Sequence, residues 1–71
     1  MLNNKDKLDY LKHKCNKNGL VFKLDKHRLI NGMACYKIVN IEGSVLRELL
    51  TINNAFDEEI QTSFISQLSN Q

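Results

Sequence analysis

Four side chains in this 71-residue sequence have the chemistry for metal ligation or nucleophilic attack: His13, Cys15, His27 and Cys35. Zinc takes four such ligands in tetrahedral geometry, but His13 and Cys15 are two apart in a segment that reads as helix, which sends them to different sides. No metal site is expected. A Cys35–His27 nucleophile pair needs both groups on one surface within hydrogen-bond reach. The hairpin register derived below puts Cys35 on a face with Arg28, and His27 on the other face opposite Tyr36, which keeps the two apart. Cys35 then reads as a small sheet hydrophobe and Cys15 as a core residue, both reduced. The phosphate-cradling and metalloprotease patterns G-x-x-x-x-G-K, G-x-G-x-x-G and H-E-x-x-H do not occur. No cofactor and no catalytic residue are expected.

The remaining chemistry is ionic. Lys23, Lys26, His27, Arg28, Tyr36 and Lys37 fall on the hairpin, and Lys12, Lys14 and Lys17 on the helix before it. Such groups can neutralise phosphates while an aromatic ring stacks on a base; the bland alternative is a solvated lysine surface, since a pI near 8.6 is only mildly basic. Further along, Asp57, Glu58 and Glu59 stand beside apolar Phe56 and Ile60, a mixture of steering charge and apolar anchor suited to binding a protein. The net charge of +2 is polarised: residues 1–37 hold nine basic against three acidic side chains, and residues 38–71 hold one against five.

These groups need elements to position them. At 42% hydrophobic and 25% charged the chain is ordinary for a globular protein, and its length suits one domain, 1–71, with one small core. Asn31-Gly32 between two β-prone runs is a strong signal for a two-residue turn, because both central residues of a type I′ turn need φ > 0. Counting outward pairs Ile30 with Met33, Leu24 with Val39 and Phe22 with Ile41. The same count opposes Lys26 to Lys37 and Arg28 to Cys35, and the directly opposed like charges predict an interruption near Asp25-Lys26-His27. Strands are therefore expected at 20–24, 28–31 and 33–41.

Asn4 suits an N-cap and Gly19 a C-terminal stop for a helix over 5–18 whose apolar stripe is Leu8, Leu11 and Cys15. Ser44 can cap a helix over 45–53 with Val45, Leu46, Leu49, Leu50 and Ile52 on its apolar side. Asn54 can cap another over 55–69 with Asp57, Glu58 and Glu59 in its first turn and Ile60, Phe64 and Leu68 as its stripe. The whole reads as an α+β fold of order α-β-β-α-α, with helices covering one face of a small antiparallel sheet. The other face should be open to solvent.

Lys17-Asn18-Gly19 at the end of an opening helix, a hairpin, and then Gly43-Ser44-Val45-Leu46-Arg47-Glu48-Leu49-Leu50 resemble the small α-β-β-β-α toxins of the HicA type. These are mRNA interferases with a double-stranded-RNA-binding-like fold. The likeness spans roughly two-thirds of the chain. In that family a strand histidine, usually preceded by Gly-Ser, is catalytic; the resemblance would assign that role to His27, here preceded by Asp25-Lys26, and the family's later proline-histidine element is absent.

Two function classes follow. The first is a small non-catalytic regulator or inhibitor that binds another protein, and a composition heavy in Lys, Asn and Ile fits a phage or mobile element as its source. The second is a nucleic-acid-binding domain using the basic hairpin and first helix, in a plain binding form or as a HicA-like interferase. A homodimer joined through the C-terminal amphipathic helix is a third arrangement. Without an apolar leader or a bilayer-length run, the expected location is the cytoplasm, with no membrane partner.

Overall fold

A computed structural model describes residues 2–30 and 33–70, and the side chains of these apart from 26–30, 33 and 34. The expected Asn31-Gly32 turn lies outside the described residues. In chain order the elements are α1 (Asn4–Lys17), β1 (Val21–Ile30), β2 (Met33–Val39), β3 (Val45–Leu49), α2 (Ile52–Thr62) and α3 (Phe64–Leu68). The strands form one antiparallel sheet in the order β1-β2-β3. Leu11 and Cys15 of α1, Ala55 of α2 and Ile65 of α3 pack with Phe22 and Ile38 of the sheet, so the three helices cover a single face.

The α+β class with helices on one face is as the sequence implies, but the order is α-β-β-β-α-α. The helix expected over 45–53 is not formed; residues 45–49 are β3. An apolar stripe of short range is compatible with either period, and here the free edge of β2 supplies the hydrogen-bond partners that select a strand. Ser44 is accordingly not a helix cap but part of the β2–β3 turn. There Asn40 Oδ1 accepts the N–H groups of Glu42 and Ser44 at 3.0 and 2.9 Å, and Gly43 takes φ +86°, a conformation open to glycine without strain.

The β1–β2 register carries a second correction. Ile30 pairs with Met33 as expected, but beyond the interruption Leu24 pairs with Tyr36 and Phe22 with Ile38, rather than with Val39 and Ile41. The register slips between Asp25 and Leu29, where β1 holds three residues between positions whose partners, Cys35 and Ala34, are consecutive. The interruption was expected as a break between strands 20–24 and 28–31; instead β1 continues through it as a bulge. Lys37 therefore opposes Lys23 and Cys35 opposes Asp25, in place of Lys26 and Arg28.

α1 starts one residue early, with Asn3 rather than Asn4 as the cap: Asn3 Oδ1 accepts the N–H of Asp6 at 2.8 Å. It stops at Gly19, φ +74°. The N–H of Gly19 reaches the Asn16 carbonyl and that of Leu20 reaches Cys15, a Schellman closure that satisfies the last carbonyls. α2 is capped by Thr51 instead of Asn54, its Oγ1 accepting the Asn54 N–H at 3.1 Å. The helix expected over 55–69 is broken at Ser63, which sits in the left-handed region at φ 53°, ψ 41°.

Candidate functional site

The nine basic and aromatic groups singled out for nucleic acid do not assemble into one surface among the described side chains. Alternation along the strands puts Phe22, Leu24, Tyr36 and Ile38 on the inner, helix-covered face, and Lys23 and Lys37 on the outer one. Lys12, Lys14 and Lys17 stand on α1, which packs on the inner face. The sheet thus separates the helix lysines from the strand lysines. Tyr36 is half-buried with its ring stacked on Phe22 at 5.4 Å, so the ring is engaged rather than presented to a base. The side chains of Lys26, His27 and Arg28 lie outside the described residues. So does the expected separation of Cys35 from His27.

The outer face also bears acids. Asp25 is the pairing partner of Cys35, and Glu48 that of Lys37. Its described ionic side chains are thus Lys23, Lys37, Asp25 and Glu48.

Both thiols are buried and free. Burial pushes the Cys15 thiol up to about 12 from 9.0, with the negative field of Glu59 adding to the effect. A thiol held in that state is a poor nucleophile at neutral pH. Among the described residues no three His, Cys, Asp or Glu side chains gather as metal ligands.

The acidic trio is split by the geometry of α2. The helix starts at Ile52, so Asp57, Glu58 and Glu59 lie beyond its first turn and point in three directions. Glu58 leans to β3 and pairs with Arg47 at 2.7 Å, and the Arg47 guanidinium lies 4.9 Å from the Phe64 ring centroid. Glu59 is 2% exposed and its Oε1 accepts the N–H of Ile65 at 2.9 Å, which caps α3. Only Asp57 remains exposed. A recess of about 310 Å³ between β3 and α2 has Arg47, Glu48 and Glu58 in its wall, and Arg47 and Glu58 are engaged with each other there.

Phe56 and Ile60, by contrast, belong to a surface. Phe56 meets Tyr10 of α1 edge to face, with centroids 5.3 Å apart and planes at 72°. Lys7 lies over the same ring at 5.5 Å and its Nζ donates to Asn53 Oδ1 at 2.9 Å. Ile60, one turn on from Phe56, is 57% exposed, and Tyr10 is 39% exposed. No family model, curated protein or solved structure matches this chain. The site must therefore be read from its own residues. Tyr10, Phe56 and Ile60 form an apolar strip along the α1/α2 seam, with Lys7 and Asp57 at its borders.

Tyr10 and Lys7 were not legible as site residues in the sequence. The available signal was an aromatic residue off the Leu8, Leu11, Cys15 stripe and three positions from a lysine, a pair that shares a helix face. The apolar stripe proposed for a homodimer is mostly spent inside the core: Phe64 and Leu68 are buried, leaving Ile60 alone of the three outside. Among the described residues no helix is long and apolar enough to cross a membrane.

Proposed function

We propose that this protein is a small non-catalytic regulator or inhibitor that binds another protein through the α1/α2 seam. The observation that carries the reading is the Tyr10–Phe56 contact with Ile60 exposed beside it. An aromatic pair held rigid by packing exposes apolar area at low entropic cost, and aromatic groups flanked by charge are the residues on which binding energy concentrates. Lys7 and Asp57 on the two borders favour a partner with a mixed-charge rim around an apolar pocket. The phage or mobile-element origin suggested by composition fits a protein that occupies a surface on host machinery.

The test is capture of partners from host lysate with and without nuclease, using wild type, Ile60→Asp and Tyr10→Ala. Both positions are partly solvent-exposed, so the fold should tolerate the changes. The expected result is a nuclease-resistant protein partner lost in both variants. Capture that nuclease abolishes, or that both variants retain, removes the reading.

A second reading, nucleic-acid binding in plain or interferase form, is supported by one observation: the third strand gives the α-β-β-β-α order that the HicA resemblance implies. Retention on RNA or DNA that falls steeply with salt would favour it, and RNA cleavage unchanged by His27→Ala would remove its interferase form.

A further inference from the structure

β3 is an edge of the sheet: β2 runs along one side of it, and no described strand runs along the other. Alternate residues of an antiparallel strand turn their N–H and C=O groups away from the neighbour, so the far side of β3 presents a row of backbone donors and acceptors. Natural edges are blunted by lysine, proline or a bulge. The β1 edge has Lys23 exposed and the bulge after Asp25. β3 holds no lysine and no proline, and its register shift lies at its start, between Val45 and Arg47.

The recess between β3 and α2 opens along that same edge. Its wall takes in four consecutive residues, 47–50, with Ala55 and Glu58 of α2, and no described residue of β2. Arg47 and Leu49 share the inner face with their partners Ile38 and Tyr36, whereas Glu48 shares the outer face with Lys37. Side chains of opposite faces border one hollow only along the margin of a strand. At about 310 Å³ it stands at the lower limit of the roughly 300–1,000 Å³ typical of ligand sites, a volume suited to one long side chain.

We infer that an extended segment of a partner protein adds to β3 as a fourth strand and places a lysine or arginine side chain in this recess. The row of backbone groups selects an extended chain, and the recess selects the side chain. Leu49 and Ala55 are buried and Leu50 is 51% exposed, an apolar floor for a methylene stem. Glu58 meets Arg47 through Oε1, and a carboxylate can accept at both oxygens. Residues 38–71, which supply the whole wall, hold one basic against five acidic side chains, a field that favours a cation. A second copy is the poorer occupant, because a two-fold through the middle of β3 opposes Arg47 to Arg47 or Glu48 to Glu48. The recess and the Tyr10–Phe56–Ile60 strip use different sides of α2, so the inference stands or falls separately from the proposed function.

A displayed library of random ten-residue peptides, selected against the full chain, tests it. Recovered peptides are synthesised and their affinities measured by fluorescence anisotropy, with thermal unfolding as the check that each variant is folded. They should share a lysine or arginine between β-branched or aromatic neighbours, and should shift the amide resonances of residues 45–50. Methylating the peptide's backbone nitrogens one at a time should weaken binding about tenfold at alternate positions and little at those between. Leu50→Lys, at an exposed position, and Glu58→Gln should each weaken it about fivefold, while Ile60→Asp should leave it unchanged. A library that yields no binder, binders with no shared basic residue, methylation effects without alternation, or binding lost in Ile60→Asp or kept in Leu50→Lys would each overturn the inference. So would a wild type that dimerises in sedimentation and loses the dimer in Leu50→Lys, since the occupant would then be a second copy.

Discussion

The carboxylate of Glu59 accepts the backbone N–H of Ile65 at 2.9 Å, and both residues are buried. Ser63, which precedes α3, makes no side-chain cap of its own, so the acid six residues back serves as the helix cap. Its place opposite an otherwise orphaned N–H explains why a carboxylate sits in the core of so small a domain. Removing it strands the Ile65 donor in an apolar site. Glu59→Ala should cost about 2 kcal/mol, on the order of a 10 °C fall in Tm for a domain this size, while Glu59→Gln, which keeps an acceptor, should cost much less. Thermal unfolding by circular dichroism checks it; equal losses in the two variants would contradict the capping role.

Cys15 shares that interior, and its thiol is raised to about 12 by burial and by Glu59. Below pH 9 the thiolate population is about a thousandfold smaller than for a free thiol. In a Cys35→Ser background, alkylation of Cys15 should therefore be slow until the protein unfolds. The sign of the linkage follows from the raised value. The unfolded chain ionises Cys15 near pH 9 and the folded one does not, so its contribution is whole below pH 9 and declines as pH rises toward 12. Chemical denaturation across that window should show a decline that Cys15→Ala lacks.

Arg47 bridges β3 to both C-terminal helices through Glu58 and the face of Phe64. The ion pair is partly solvated and worth little alone, whereas the planar guanidinium over the ring adds contact that an ammonium reproduces poorly. Arg47→Ala should destabilise by about 1–2 kcal/mol, Arg47→Lys by roughly half of that, and Glu58→Gln by under about 0.5 kcal/mol. Glu58→Gln costing more than Arg47→Lys would reverse the assignment. High salt should erase the Glu58 effect and spare most of the Arg47 effect.

Ser63 occupies the left-handed region, which disfavours any residue with a Cβ. Its N–H still donates to the Glu59 carbonyl at 2.8 Å, so a glycine there keeps the bond and loses the strain. Ser63→Gly should stabilise by about 0.5–1 kcal/mol, a rise of a few degrees in Tm. A fall in Tm would mean that the serine side chain contributes more than its backbone costs.

Much of the fold was legible because its signals are local. Gly19 stops α1 through a positive φ as expected, the cap lies at Asn3, one residue before the expected Asn4, Leu11 and Cys15 mark the helix's buried side by helical spacing, and like-charge conflict placed the β1 irregularity beside Asp25. The site was legible only in part. Phe56 and Ile60 were identified from their types, whereas Tyr10, about 150 Å of fully extended chain from Phe56, could enter only when α1 and α2 packed side by side.

What the sequence by itself determined was the α+β class, the single-face helical cover and the burial of Cys15, all of which depend on periodicity and on residues a few positions apart. The tertiary structure alone decided whether Val45–Leu49 would be helix or strand, and which way Glu58 and Glu59 would face. Those outcomes turn on partners distant in the chain: the free edge of β2, the guanidinium of Arg47 and the bare N–H of Ile65. A backbone or a charge with two acceptable local states is settled by whichever distant group satisfies it.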